Sequence, residues 1–461
     1  MTYKMKLTIL LLLLIGFVAC QPTQQPEQQA KTVQIDSITG KPVWLNNATL
    51  YEVNIRQYSP EGTFNAFAKD LPRLKKLGVE ILWLMPINPI SEKKRKGTLG
   101  SYYSVKNYKE VNPEFGTMDD FKNLVNKAHE MGFEVIIDWV ANHTGWDNPW
   151  ITEHPDWYTK DSTGAIIPPD PDWSDVADLN YDVKPMRRAM IDAMDFWLKT
   201  TDIDGFRCDV AWGVPQDFWD AARASFDSIK PVYMLAEDED HPGFLKKAFD
   251  SDYAWAFFHI MNDVAQGKKN VQDIRAYFDT TENKYAPGSF PMQFITNHDE
   301  NAWNGTIKER MGDAADAFAV MTFTVPGIPL IYDGQEVGMD KRLKFFEKDP
   351  IDWSDTTKQA FYRNLVDLKR ENQALWNGLA GGDLKMLQTN HNDKVFAFTR
   401  EKNGNKLLVI MNLSNTPVVS EVKFDVHEEF KRLWKEGKLA GVDEKASIEL
   451  QPWEYRVYLR I

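Results

Sequence analysis

The chain predicts an α/β fold: a (β/α)8 TIM barrel with an excursion domain after the third strand and a C-terminal antiparallel β domain. Three observations carry this. Short apolar runs alternate with helix-period segments eight times between about residues 48 and 377, as a closed parallel barrel requires. One connection, residues 142–184, is far longer than an ordinary loop. After Asn377 alternating strands split by an "EKNGNK" turn replace the helical pattern.

The elements follow in order. Lys4 and Lys6 precede an apolar run, Leu7–Ala19, that is too short for a membrane span and has the layout of a secretory signal. It ends in "FVAC", which resembles a bacterial lipoprotein signal box. Residues 1–20 are therefore expected to be a lipoprotein-type signal peptide, with Cys20 the lipidated first residue of an exported chain. Residues 21–43 are Gln/Pro-rich and read as a disordered tether. The barrel is expected over 44–377 and a β-sandwich domain over 378–461.

The eight strand candidates are Leu50–Tyr58, Val79–Pro86, Phe133–Val140, Gly205–Val210, Val232–Glu237, Ala254–Ile260, Met292–Asp299 and Gly327–Gly334. Helix candidates lie between them at Phe64–Leu77, Met118–Met131, Pro185–Thr200, Pro215–Ile229, Val271–Thr281 and Asp313–Phe323. Gly78 and Gly132 stand where helix C-caps belong. The long connection, rich in Pro, Asp and Trp, is expected to form the excursion domain over the barrel mouth.

Composition narrows the function. Of 461 residues, 43% are hydrophobic and 26% charged, with a formal net charge of -13. That balance argues against a nucleic-acid partner, which would call for a basic face, and suits a neutral ligand. Sixteen Trp, 16 Tyr and 26 Phe supply a core and flat surfaces on which sugar rings could stack. Cys208 is the only cysteine besides Cys20. With Cys20 lipidated no internal disulfide remains, and the core alone must hold the fold.

"GFRCDV" concentrates the chemistry. Side chains alternate along a strand, so Arg207 and Asp209 share one face and Cys208 takes the other. At the C-terminal end of a barrel strand that face meets the active-site mouth. A guanidinium beside Asp209 should keep the carboxylate ionised, as a glycosidic nucleophile needs. A buried bridge that merely holds the barrel is the competing reading. Other strand ends add acids and imidazoles: Asp138, Asn142 and His143 after the third, Glu237 after the fifth, Asn297, His298 and Asp299 after the seventh. Several carboxylates in one pocket are costly to bury for stability alone.

These motifs resemble the α-amylase family, glycoside hydrolase family 13. "DWVANH", "GFRCDVA", "LAE" and "ITNHD" resemble its four signature motifs in order, "ADLN" (177–180) a short motif of its excursion domain, and "YSVKNYKEVNPEFGT" the stretch before its third strand. The resemblance implies Asp209 as nucleophile, Glu237 as general acid/base and Asp299 as the third carboxylate that binds sugar hydroxyls. It implies Arg207 as the residue orienting the nucleophile, His143 and His298 as hydroxyl ligands, Tyr103 as an aromatic platform and Asp138 as a structural acid. A retaining pair stands about 5–5.5 Å apart, and neighbouring strand ends can supply that. The "EDED" run, 237–240, should surround Glu237 with like charge and favour its protonated form, unless Asp238, Glu239 and Asp240 point into solvent.

One departure bears on substrate and metal. The second motif continues Ala211-Trp212-Gly213 where many relatives carry Lys-His, which touches the leaving-group side and calcium. Asn142 and Asp178 match calcium ligands elsewhere in the family, so a structural calcium is expected at most; no cofactor is required for the chemistry. "WGVPQDFWDAAR" resembles maltodextrin-degrading members. The expected activity is hydrolysis of α-1,4-glucosidic bonds in maltooligosaccharides. The alternatives are transglycosylation or isomerisation on the same scaffold, and a non-catalytic glycan-binding lipoprotein. The membrane enters through the lipid anchor only.

Overall fold

The computed structural model describes residues 33–281, 284–423, 428–435, 437–440 and 445–461. The expected signal peptide, Cys20 and the tether up to residue 32 lie outside the described residues. Eight parallel strands close into a barrel: Leu50–Val53, Ile81–Leu84, Glu134–Val140, Gly205–Asp209, Tyr233–Ala236, Ser251–Tyr253, Phe290–Gln293 and Ile328–Tyr332. Each pairs with its sequence neighbour, and the first closes the ring on the eighth.

Alternation sorts the side chains. Leu50, Ile81, Trp83, Ile136, Leu235 and Leu330 fill the barrel interior. Their chain neighbours, including Leu82, Val135 and Met234, face the helices. Strands buried on both faces carry no polar alternation, which is why they read as unbroken apolar runs. Cys208 packs outward with the helices, as its place between Arg207 and Asp209 demands.

The sixth strand is a correction. Ala254–Ile260 is not a strand; Trp255–Ala265 is a helix, and the barrel strand is the three-residue Ser251–Tyr253 just before it. An apolar run of seven fits a buried helix as well as a strand, and periodicity alone cannot separate them. The first and seventh strands are also shorter than their runs. Ile55–Tyr58 turns helical, and the "ITNHD" residues follow the end of Phe290–Gln293.

The helices keep the expected places, with local reasons for their ends. Met118–Glu130 opens on a Thr117/Asp120 capping box. Phe64–Leu77 divides into Phe64–Phe67 and Leu71–Leu77, because Pro72 lacks an N–H and fits only a first turn. Gly205, which opens the fourth strand, has φ +150, and a Cβ there would lie 1.9 Å from the Tyr233 carbonyl oxygen. The fourth and fifth strands meet across a gap that admits only glycine.

The C-terminal region is antiparallel β, as expected. A six-stranded sheet that includes Val395–Lys402, Asn405–Asn412 and Tyr455–Arg460 faces a two-stranded sheet of Val418–Lys423 and Lys445–Leu450. Val395, Ala397, Leu408 and Ile410 point to the small sheet, and Phe396, Phe398, Val409 and Met411 join the core shared with the barrel. Arg400 stitches the two together. It is buried and donates to the carbonyl oxygens of Gly382, Val325, Thr324, Leu375 and Trp376.

Candidate active site

The strand ends bring Asp209, Glu237 and Asp299 to one pocket at the C-terminal mouth of the barrel, with Tyr103 and His143 on its walls. Arg207 organises it from below. Its Nη1 lies 3.1 Å from Asp209 Oδ1 and 2.8 Å from Asp138 Oδ1, its Nη2 forms an ion pair with Glu237 Oε1 at 2.9 Å, and its Nε donates to Tyr253 Oη at 3.0 Å. One buried guanidinium thus faces three carboxylates. Trp83, Tyr103 and Tyr253 surround it with ring faces, the nearest centroid at 5.2 Å.

That sharing weakens the expected hold of Arg207 on Asp209. Burial and the Glu237 carboxylate push the Asp209 carboxyl well above its usual range, against the pull of Arg207. The guanidinium is divided among Asp138, Asp209 and Glu237, so its pull on any one acid is shared. The expected run of free acids after Glu237 also differs. Asp238 bonds His241, and Glu239 pairs with Lys284 at 3.1 Å. Glu237 Oε2 accepts the main-chain N–H of Val210 at 2.7 Å.

The two histidines are opposites. Burial drives His143 down to about 4, so its imidazole is neutral; Asn142 Nδ2 lies 3.2 Å from Nδ1. His298 is equally buried, but Asp299 and Glu52 outweigh burial and raise it well above its usual value. Its Nδ1 bonds Glu52 and its Nε2 lies 2.7 Å from Tyr103 Oη and 3.2 Å from Asp299 Oδ2. Tyr103 Oη also donates to Asp138 Oδ2 at 3.0 Å, which fixes its ring in the wall.

Asn142 and Asp178 lie beside each other at the base of the excursion, where His143–Gly145 pairs with Val176–Asp178. Asn142 Oδ1 stands against Gly213, where a Cβ would meet it at 2.4 Å. Asp178 is half-buried, and burial raises its carboxyl. Calcium takes six to eight oxygens. Among the described residues no group of three acid or imidazole ligands includes Asp178. The pair alone does not make a side-chain cage.

Several functional residues went unread in the sequence. Glu52 is fully buried in the first strand and anchors His298; a lone acid inside "LYEV" was its signal. Trp303 bonds the Asp299 carboxyl and packs on Phe345 with centroids 5.1 Å apart. Nothing local marks those two as a pair. Ala211–Gly213 forms a single tight turn, and its Trp212 is 56% exposed.

Comparisons agree with this geometry. Residues 31–167 and 170–382 match the family model "Alpha amylase, catalytic domain", and 384–457 match "Maltogenic Amylase, C-terminal domain". The chain is 29% identical over 400 residues to the α-amylase MalA of Haloarcula japonica, covering 82% of this chain and 57% of that protein's length. Two solved structures superpose closely. A maltogenic α-amylase, AmyB, from Thermotoga neapolitana is 28% identical with a TM-score of 0.83, covering 91% of this chain and 99% of that one. An α-amylase from Lactobacillus plantarum is 31% identical with a TM-score of 0.80, covering 91% of this chain and 100% of that one. With well over half of its length matched by the catalytic-domain model and its strand-end acids gathered in one pocket, the chain belongs to the α-amylase family.

Proposed function

We propose that the protein is a retaining glycoside hydrolase that cleaves α-1,4-glucosidic bonds of maltooligosaccharides through a covalent glycosyl-enzyme. The observation that carries this is the single guanidinium of Arg207 held between Asp209 and Glu237. Arg207 engages Asp209 Oδ1, which leaves Oδ2 to attack the anomeric carbon. Glu237 donates a proton to the departing glycosidic oxygen as the C1–O bond breaks. Glu237 then takes a proton from the water that releases the sugar.

The remaining residues hold the ring. Asp299 accepts from sugar hydroxyls, with the His298 imidazolium against it. Neutral His143 bonds a hydroxyl without adding charge, and Tyr103 presents a fixed ring face. Asn142 and Asp178 are the side chains that would contribute oxygens to a calcium ion there. The apolar run before Cys20 supports export and a lipid anchor; a Cys20→Ala chain released from membranes is the expected sign.

The test is product analysis with maltoheptaose beside an Asp209→Asn control. Shorter maltooligosaccharides released first as α-anomers, and absent in the control, are expected. Longer, branched or trehalose-type products would move the reading to transglycosylation. Binding without turnover would leave a glycan-binding protein.

A further inference from the structure

Glu52 sits in the interior of the first strand and is fully buried. Its Oε1 bonds His298 Nδ1, and its Oε2 has no hydrogen-bond partner among the described residues. A buried carboxyl held by one side chain is costly, and packing alone would favour a leucine there. Arg207 is not free to serve it, being engaged with Asp138, Asp209, Glu237 and Tyr253. The side chain that accounts for Glu52 is His298.

The ring nitrogens of His298 face acceptors on both sides. Nδ1 meets Glu52. Nε2 meets Asp299 Oδ2 at 3.2 Å and Tyr103 Oη at 2.7 Å, and the Tyr103 hydroxyl gives its own proton to Asp138 Oδ2. A neutral imidazole carries one N–H and would set a lone pair against an oxygen; an imidazolium donates from both nitrogens. Moving the proton onto Glu52 would leave Arg207 alone to balance Asp138, Asp209, Glu237 and Asp299. Burial raises the Glu52 carboxyl against the pull of His298 and Arg207, while Asp299 and Glu52 outweigh burial and raise His298 well above its usual value. Trp83 and Phe345 add aromatic rings beside the imidazole and no charge.

We propose that Glu52 is a positioning residue of the reaction: from the first strand it keeps both ring nitrogens of His298 protonated, so that Nε2 faces Asp299 and the sugar as a cationic donor. This rests on the glycosidase reading above. Glu52 is closed to substrate and acts through His298. A buried acid fixes the tautomer of an imidazole in other hydrolytic sites; here it fixes the charge as well. With His298 cationic, Asp299 stays ionised against it, and the Tyr103 hydroxyl keeps its proton on Asp138 rather than on the ring. A glutamine at this position would keep the shape and lose the charge, and its amide N–H would satisfy a neutral ring at Nδ1.

The experiment titrates the purified full chain, labelled with 15N at its histidines, by NMR, with the His298 signals assigned by their loss in His298→Asn. Both ring nitrogens of His298 should stay protonated at pH 7.5 in the parent, and in Glu52→Gln one should deprotonate closer to the ordinary imidazole value, about 6.5. A neutral His298 in the parent at pH 7.5 overturns the inference, and so does an unchanged titration in the variant. Should the variant not fold, the parent spectrum alone decides. Kinetics on maltotriose read the consequence. An imidazole titrating near 6.5 is ~90% protonated at pH 5.5 and ~3% at pH 8, so the variant-to-parent ratio of kcat/KM should fall at least about tenfold between those pH values. Titrations shared by both proteins cancel from that ratio. A ratio that is low but flat across pH marks a merely structural contact and overturns the inference. No turnover by the parent sinks the glycosidase reading, and the NMR titration still decides whether Glu52 holds the charge of His298.

Discussion

Val210 donates its main-chain N–H to Glu237 Oε2 at 2.7 Å from a backbone held at φ +44. Left-handed geometry at a β-branched residue costs about 1–3 kcal/mol and persists where the surroundings impose it. The strained turn fixes the Glu237 carboxyl. Val210→Gly keeps the N–H and tolerates the turn, so kcat should stay within about tenfold of the parent. Val210→Pro removes the donor and locks φ near -65°, and kcat should fall by at least about 100-fold. Steady-state kinetics with thermal unfolding on both variants decides this; equal losses would show that the side chain is what matters.

Glu237→Gln should separate proton donation from nucleophilic attack. General-acid help is worth about 10²–10⁴ in rate on a poor leaving group. The variant should lose that much on maltotriose yet still be glycosylated by α-maltosyl fluoride, whose leaving group needs no proton. Asp209→Asn should fail on both. A Glu237→Gln enzyme equally dead on the fluoride would remove Glu237 from the acid role.

His143 makes an acid limb in stability. Its folded value, about 4, lies below the 6.5 of a free imidazole, so between those values the unfolded chain binds the extra proton. Its contribution is present above pH 6.5 and is lost as pH falls toward 4. Full titration is worth on the order of 3 kcal/mol. His298 acts in the other sense: its raised value stabilises below 6.5, and that contribution is lost as pH climbs through the folded value. Thermal melts from pH 4 to 7 should show a shallower acid limb in His143→Asn. An unchanged slope would place the titration elsewhere.

Arg400→Met should weaken the junction of barrel and C-terminal sheets. Five main-chain carbonyls lose the guanidinium; Leu375 O keeps Lys369 Nζ as a donor and Trp376 O is only part-buried, while removing one partner of a buried bond costs about 1–3 kcal/mol per stranded group before relaxation. A loss of about 2–4 kcal/mol in urea unfolding is expected. No change would mean that water or a shifted loop replaces the guanidinium.

The strand ends were legible because they break a rule. A charge inside an apolar run, as at Arg207 or Asp209, is expensive and therefore conspicuous. Spacing then placed the acids on one mouth. What stayed hidden depends on distance along the chain: Glu52 and His298 are 246 positions apart, and neither names the other. The sixth strand was hidden for another reason. Ser-Asp-Tyr is short and polar, and the apolar run beside it belongs to a helix whose face happens to be buried. The pull of Arg207 on Asp209 was overestimated because the sequence shows its nearest cation but not the other acids that share it.

Gly205 gives this site a dependence that no map of sugar contacts would reveal. Any side chain there would drive into the Tyr233 carbonyl and push the fifth strand off the fourth. Those two strands end in Asp209 and just before Glu237, so the gap between these two carboxyls is inherited from a missing carbon four residues upstream. A mutational scan scored by activity should flag Gly205 as sharply as the acids themselves. The stereochemistry of the reaction is, in that sense, written into the barrel wall before the chain reaches its first reactive atom.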